Sequence, residues 1–180
     1  MIGAEFAAAL AAAQGGDEEA YARLFRDIQP VLLRYLNVIA GQAAEDVAGQ
    51  MWLEVVAGLD DFRGGEESWR AWLFMIARHR AADAGRRRDR RRAAEGGIRE
   101  GLTAPDTADV AVERASTRAT LALISSLPRD QAEIIMLRVV AGLDASSVAR
   151  IVGKRPGTVR VAAHRAMRQL ATMIDRAGVL

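Results

Sequence analysis

Apolar residues recur at helical spacing through most of the chain, and no stretch of useful length alternates as a strand would. Asp17 is placed to begin a helix, with Glu18 and Glu19 facing its positive end. Tyr21, Leu24, Phe25 and Ile28 form its apolar stripe. Pro30 is expected to break or restart that helix, leaving Val31 to Ile39 as a second one. Gly41 marks a turn. A third helix over about 44–59 carries Val47, Met51, Val55 and Leu59 on one face. Residues 60–67 read as a Gly-rich, acidic turn holding Phe62, Gly64 and Gly65. Ser68 is the expected N-cap of a long helix from Trp69 to about Arg92, aromatic in its first half and basic in its second.

The pattern then lapses. Residues 93–112 contain Gly96, Gly97, Gly101 and Pro105 with several acids, and read as a flexible linker. Fully extended, such a stretch reaches about 65–70 Å. A second helical unit follows. One helix runs from Val112 to Leu127 and ends at Pro128. Asp130 is expected to cap the next, which carries Ile134, Ile135, Leu137 and Val140 and stops at Gly142. Asp144 is expected to cap a short helix with Val148, Ile151 and Val152, ending at Gly153. Pro156 then opens a final helix to about Asp175, at the one helical position that suits proline.

All nine aromatic residues lie at or before Phe74, so the second unit must build its core from aliphatic residues and Met. The prediction is an all-α protein of two small helical domains with separate cores. Residues 1–16 form an N-terminal tail, 17–92 the first domain, 93–112 the linker and 113–180 the second domain.

Composition narrows the chemistry. The chain has 180 residues and no Cys, which excludes disulfides, thiol catalysis and Cys-ligated zinc. Its two His, His79 and His164, are too few for a His-rich metal site. No cofactor is implied. No apolar run reaches the roughly 18–20 residues that span a bilayer. The Ala-rich start follows Glu5 and lacks the basic residues of a signal peptide. The expectation is a cytoplasmic protein with no membrane partner.

The net charge of +2 conceals an alternation. Residues 1–67 hold 4 basic and 12 acidic side chains, 68–92 hold 9 and 2, 93–133 hold 4 and 7, and 134–180 hold 8 and 2. Two basic blocks suggest two places that meet a polyanion, and the acidic first part suits a protein partner. The second block lies on a helix-turn-helix pattern over 144–171. Val148 with Ile151 or Val152 would pack on Val159 and Ala163, with Ala149 small at the crossing. That leaves Lys154, Arg155, Thr158, Arg160, His164, Arg165 and Arg168 for a DNA major groove and its phosphates. In the first block, Phe62, Trp69, Trp72 and Phe74 precede the Arg run. Aromatic rings beside Arg suit unpaired bases, although Trp72 by its spacing belongs to a core. Glu45, Asp46 and Glu54 have no catalytic partner and read as a solvated or protein-binding face, so no enzyme is expected.

Several segments, in order, resemble the extracytoplasmic-function group of the bacterial sigma-70 superfamily. They are Tyr21-Ala22-Arg23-Leu24-Phe25, Glu45-Asp46-Val47, Phe62-Arg63-Gly64, Trp69-Arg70-Ala71-Trp72-Leu73, Ile76-Ala77-Arg78, Leu127-Pro128-Arg129-Asp130 and Gly157-Thr158-Val159-Arg160. The resemblance covers about residues 17–175. It implies a factor that binds core RNA polymerase, brings it to −10 and −35 promoter elements and promotes opening of the DNA. It makes 17–92 the family's region 2 and 113–180 its region 4.

By the same resemblance, Asp46, Gln50 and Glu54 would dock on the clamp of the largest polymerase subunits, with the flap as a further contact. The family usually shows Gln-Glu where this chain has Gly49 and Gln50. Phe62, Arg63, Trp69, Arg78, His79, Arg80, Arg86 and Arg87 would serve the −10 element as single strand. Lys154, Arg155, Thr158, Arg160, His164, Arg165 and Arg168 would read the −35 duplex. The linker would thread through the polymerase. Family members are often held by an anti-sigma factor, and bound to polymerase they sit on the nucleoid. The alternatives are a helix-turn-helix regulator that acts without entering the polymerase, and an inactive relative that sequesters other proteins.

Overall fold

Local caps set the register of the helices. In the computed structural model, which describes residues 2–95 and 111–177, α1 (Phe6–Gln14) follows a single 3-10 turn, Gly3–Glu5. The Asp17 side chain accepts from the Ala20 N–H and starts α2 (Glu18–Ala40), as expected. Gly41, at φ 59°, ends it, and α3 (Ala44–Gly58) follows one further 3-10 turn. Next come α4 (Glu66–Glu95), α5 (Ala111–Ser125) and α6 (Arg129–Ile135), which widens into a π-helical turn over Met136–Val140. The short α7 (Ala145–Val152) and the long α8 (Pro156–Ala177) complete the chain. No strand occurs among the described residues.

Three expectations about boundaries change. Pro30 lies inside a continuous α2. The hydrogen bond it removes is outweighed by burial on both sides of it, at Leu24, Ile28, Leu32, Tyr35 and Leu36. Ser68 is not a cap: α4 begins at Glu66, and the Trp69 N–H already bonds to the Gly65 carbonyl at 2.9 Å. Asp130 does not cap α6 either. Pro128 holds that position, its carbonyl accepting from Gln131 and Ala132, and Asp130 instead takes the Lys154 ammonium at 2.8 Å.

The stretch read as a tail contains α1, which buries Phe6, Ala9, Leu10 and Ala13 against the α2–α4 bundle. Helix α4 continues to Glu95, into the stretch read as a linker, and residues 96–110 of that stretch lie outside the described residues.

The first bundle is built on rings. Phe74 meets Tyr35 edge-on with centroids 5.2 Å apart, and Trp52 packs on Phe25 at 4.8 Å while donating its indole N–H to Gln29 at 2.7 Å. The second unit buries Ile134, Ile135, Met136, Leu137, Val148 and Val159.

The two units are not separate in the structure. Arg78 Nε on α4 and the Tyr35 hydroxyl on α2 both donate to Glu133 Oε1 on α6, at 2.8 and 3.0 Å. Arg70, buried beside Asp27, donates to the Ala141 carbonyl at 2.8 Å. Aromatic clustering in one half distinguishes two cores but does not forbid a polar seam between them, and Tyr35 reaches both. Burial and Glu133 raise the Tyr35 phenol well above its ordinary pKa.

Candidate nucleic-acid and polymerase interfaces

The helix-turn-helix follows from two local devices. Asp144 accepts from the Ser146 and Ser147 N–H groups and caps α7, and hydrogen bonding by the Ser147 side chain, then by these N–H groups, holds its carboxyl below the usual range. Gly153, at φ 68° and ψ 35°, ends α7 in the left-handed region, and the Lys154 N–H returns to the Ala149 carbonyl at 2.9 Å. Pro156 opens α8 immediately afterwards. Val148, Ile151, Val152, Val159 and Ala166 are buried and Ala163 is half-buried, which is the expected packing.

Helix α8 therefore turns Thr158, Arg160, His164, Arg165 and Arg168 outward, with Lys154 and Arg155 on the turn before it. All seven are exposed. Val161 lies among them and is 51% exposed. It is not among the candidate reading residues that the sequence pattern named. The signal was its place two residues after the buried Val159, which turns it away from the core.

The second cationic surface lies on α4. Arg86 and Arg87 are exposed, as are His79 and Arg63, whereas Arg78 and Arg80 are half-buried. Most of these cations meet acids or amides: Arg78 meets Glu133, Arg80 meets Glu54 at 2.6 Å, Arg86 meets Asp83, and Arg87 meets Gln50 at 3.2 Å. The candidate polymerase residues Gln50 and Glu54 on α3 thus adjoin the candidate DNA residues on α4.

Ahead of α4 lies the Leu59–Gly65 loop. Phe62 stacks on Trp72 with centroids 5.1 Å apart at 28° and meets Trp69 edge-on at 5.3 Å. A Cβ on Gly64 would sit 2.9 Å from Ser68 Cβ and 3.3 Å from Phe62, so glycine permits the close approach of the loop to α4.

Trp69 is corrected. It is 2% exposed, enclosed by Phe6, Phe62 and Trp72, and no base can stack on it without displacing them. Trp72, assigned to the core by spacing, is half-buried and carries Phe62. Phe62 is the half-buried ring at the loop.

On α3, Asp46, Gly49, Gln50 and Glu54 are all exposed. A Cβ on Gly49 would meet nothing within 4 Å, so the fold itself does not require glycine there. Leu53 and Val56 follow on that helix at 74% and 55% exposure, an apolar pair that the carboxylate pattern of the helix does not reveal. Such a patch beside acidic groups suits a protein surface rather than a polyanion.

Between the first turn of α4 and the helix-turn-helix lies a groove of about 480 Å³ whose lining includes Glu67 and Ser68 on one side and Asp144, Arg150, Lys154 and Pro156 on the other. Among the described residues no group of three or more His, Asp or Glu is placed to hold a metal, and no helix is long and apolar enough to cross a membrane.

Among the described residues the fold is helical, with an exposed cationic face on α8 and a second cationic helix, α4, behind an aromatic loop, the features of a nucleic-acid-binding protein. Residues 20–91 match the family model for sigma-70 region 2, and residues 117–170 match that for sigma-70 region 4. The ECF RNA polymerase sigma factor SigD of Mycobacterium tuberculosis H37Rv is 35% identical over 99% of this chain and 88% of its own. ShbA of Streptomyces griseus, also an ECF RNA polymerase sigma factor, is 31% identical over 89% of this chain and 91% of its own. In solved structures, RpoE of Bartonella quintana, in complex with the anti-sigma factor NepR, superposes with a TM-score of 0.70 at 22% identity over 86% of this chain and 96% of its own. The chain belongs to the extracytoplasmic-function sigma factors of the sigma-70 family.

Proposed function

We propose that the chain binds core RNA polymerase in the cytoplasm, carries it to promoters and opens them, with 17–92 serving the −10 element and 113–180 the −35 element. The observation that carries this reading is the exposed face of α8, held out by the Asp144 cap, Gly153 and Pro156. Arg160, Arg165 and Arg168 read bases or hold phosphates in the −35 duplex, with Lys154, Arg155, Thr158 and His164 beside them. Val161 adds an apolar contact of the kind that suits a thymine methyl.

Phe62, supported by Trp69 and Trp72, receives an unpaired base of the −10 strand. Arg63, His79, Arg86 and Arg87 follow its phosphates. Arg78 and Arg80 join them once released from Glu133 and Glu54. Asp46, Gln50 and Leu53 face the polymerase, with Glu54 at the border.

Elements centred 25 base pairs apart on a duplex are separated by about 85 Å. In the structure the two halves are joined through Glu133, which accepts from Tyr35 and Arg78, and through Arg70, which donates to the Ala141 carbonyl. Engaging both elements therefore requires the Glu133 and Ala141 contacts to part. An anti-sigma partner of the kind solved with RpoE would find both halves within its reach before that step.

The test is co-elution of the purified chain with bacterial core RNA polymerase, followed by transcription from a promoter library. Arg160→Ala and Arg165→Ala are expected to weaken −35-dependent transcription by about 1–3 kcal/mol of DNA affinity with polymerase binding intact. Asp46→Ala is expected to weaken polymerase binding. Tight binding to a palindromic duplex without co-elution would instead establish a regulator acting outside the polymerase.

A further inference from the structure

Helix α1 and the residues just before it are tied to both ends of the loop that carries Phe62. At its C-terminal end, Gln14 Nε2 donates to the Leu59 carbonyl at 2.8 Å and to the Phe62 carbonyl at 3.0 Å. On the other side of the loop, the Glu66 carboxylate accepts from the Ile2 and Gly3 N–H groups at 2.8 and 3.0 Å. Between these ties Phe6 packs on Trp69, centroids 6.3 Å apart.

Both carbonyls that Gln14 holds are already part of the turn. Leu59 O also accepts from the Phe62 N–H, and Phe62 O also accepts from Arg63. One amide side chain, 45 residues or more away in sequence, therefore fixes the backbone that aims the Phe62 ring. Gln14 is half-buried, and α1 itself packs through Phe6, Ala9, Leu10 and Ala13. The amide is thus not needed to hold the helix in place. Its two donors go to the loop.

We infer that α1 is a splint for the base-capturing loop and that Gln14 is its positioning residue: it presets Phe62 in the geometry that receives an unpaired promoter base. This rests on the reading of Phe62 as the capturing ring. Preorganising a loop lowers the ordering cost at the moment of binding and sharpens discrimination between bases, because a wrong base meets a ring that does not shift to accommodate it.

The experiment uses the full chain reconstituted with core polymerase and a fork-junction DNA that carries a single-stranded −10 element selected by the wild-type holoenzyme. Gln14→Leu keeps helix propensity and bulk but has no donor. It is expected to cut discrimination between the selected base and a mismatch at the captured position by about tenfold, with affinity for core polymerase unchanged. In the free chain, hydrogen exchange of the 59–65 amides is expected to quicken by about tenfold, with α8 unaffected. Gln14→Lys restores a donor on a flexible stem and is expected to recover discrimination.

Wild-type exchange in Gln14→Leu overturns the splint whatever the DNA result. So does equal loss of discrimination in the Leu and Lys variants. Phe62→Ala separates the two layers. If it abolishes discrimination while Gln14→Leu leaves it intact, base capture stands and the splint falls. If Phe62→Ala leaves discrimination intact while exchange in Gln14→Leu quickens, the splint orders the loop and the capturing ring lies elsewhere.

Discussion

The two halves of this sigma factor are stabilised by different means. The first half, α1 to α4, holds every aromatic residue and ties its loop down with long-range side-chain bonds from Gln14 and Glu66. The second half, α5 to α8, has an aliphatic core and local devices: the Asp144 cap, Gly142 at φ 69° and Gly153 at φ 68°. The contrast follows the work each half is proposed to do. Capturing a base out of a melting duplex needs a rigid ring surface set by neighbours far away in sequence. Reading an intact groove needs one straight helix, which a cap, a glycine and a proline can aim.

The largest expected effect breaks the contrast at its aromatic centre. Phe74 is fully buried against Tyr35, and Phe74→Ala is expected to cost about 3–5 kcal/mol. All three Trp lie in the first half, so their fluorescence reports its unfolding while circular dichroism reports both. The expected result is an early fluorescence transition with a second, later loss of helicity from α5 to α8. A single shared transition would show that the halves unfold as one unit and that their cores differ only in composition.

A smaller effect lies at the seam. Glu133→Ala removes the acceptor of both Tyr35 and Arg78 and is expected to cost about 1–3 kcal/mol. It should favour the parted halves, read as an increased radius of gyration in small-angle scattering. Tyr35 supplies a pH readout of the same contact. Its raised pKa means that the folded state favours the neutral phenol, so its contribution is present below about pH 10 and is lost as pH rises through the raised value. Tyr35→Phe is expected to remove that alkaline component.

The smallest effect sharpens the local side of the comparison. Asp144→Ala is expected to cost about 1 kcal/mol and to weaken −35 duplex binding without changing capture of single strands. Hydrogen bonds from Ser147 hold the Asp144 carboxyl down, as Lys154 does that of Asp130. Both contributions are present above the ordinary aspartate value of about 3.9 and fade as pH falls through the lowered one. Acid titration of wild type against Asp144→Ala, followed by helicity, checks this, and superimposable curves would remove Asp144 as a source of acid lability.

Legibility in the sequence followed the range of the interactions. The apolar faces Leu24–Ile28 and Val47–Met51–Val55–Leu59 could be read from spacing and are largely buried, because helical period alone decides which side of a helix turns inward. The exposed residues of α8 were legible for the same reason. The choice between Trp69 and Trp72 was not. Both sit at helical spacing with Leu73 and Ile76, and only the arrival of Phe6 from α1 buries the first and leaves the second to carry Phe62. Helix α1 is partly legible: Phe6, Ala9, Leu10 and Ala13 keep a helical interval, but the Ala-rich composition around them makes no face distinctive.

By itself the sequence determined the elements whose hydrogen bonds close within a few residues. Asp17 caps α2, Asp144 caps α7, Gly153 stops it and Pro156 starts α8, whatever the rest of the chain does. The tertiary structure alone decided that α2 runs through Pro30, that Glu133 rather than solvent receives Arg78, and that Gln14 holds the Phe62 loop. Those outcomes depend on which groups are brought together and shielded from water across 45 to 98 residues of chain, or on burial summed along a whole helix, and no local pattern encodes either.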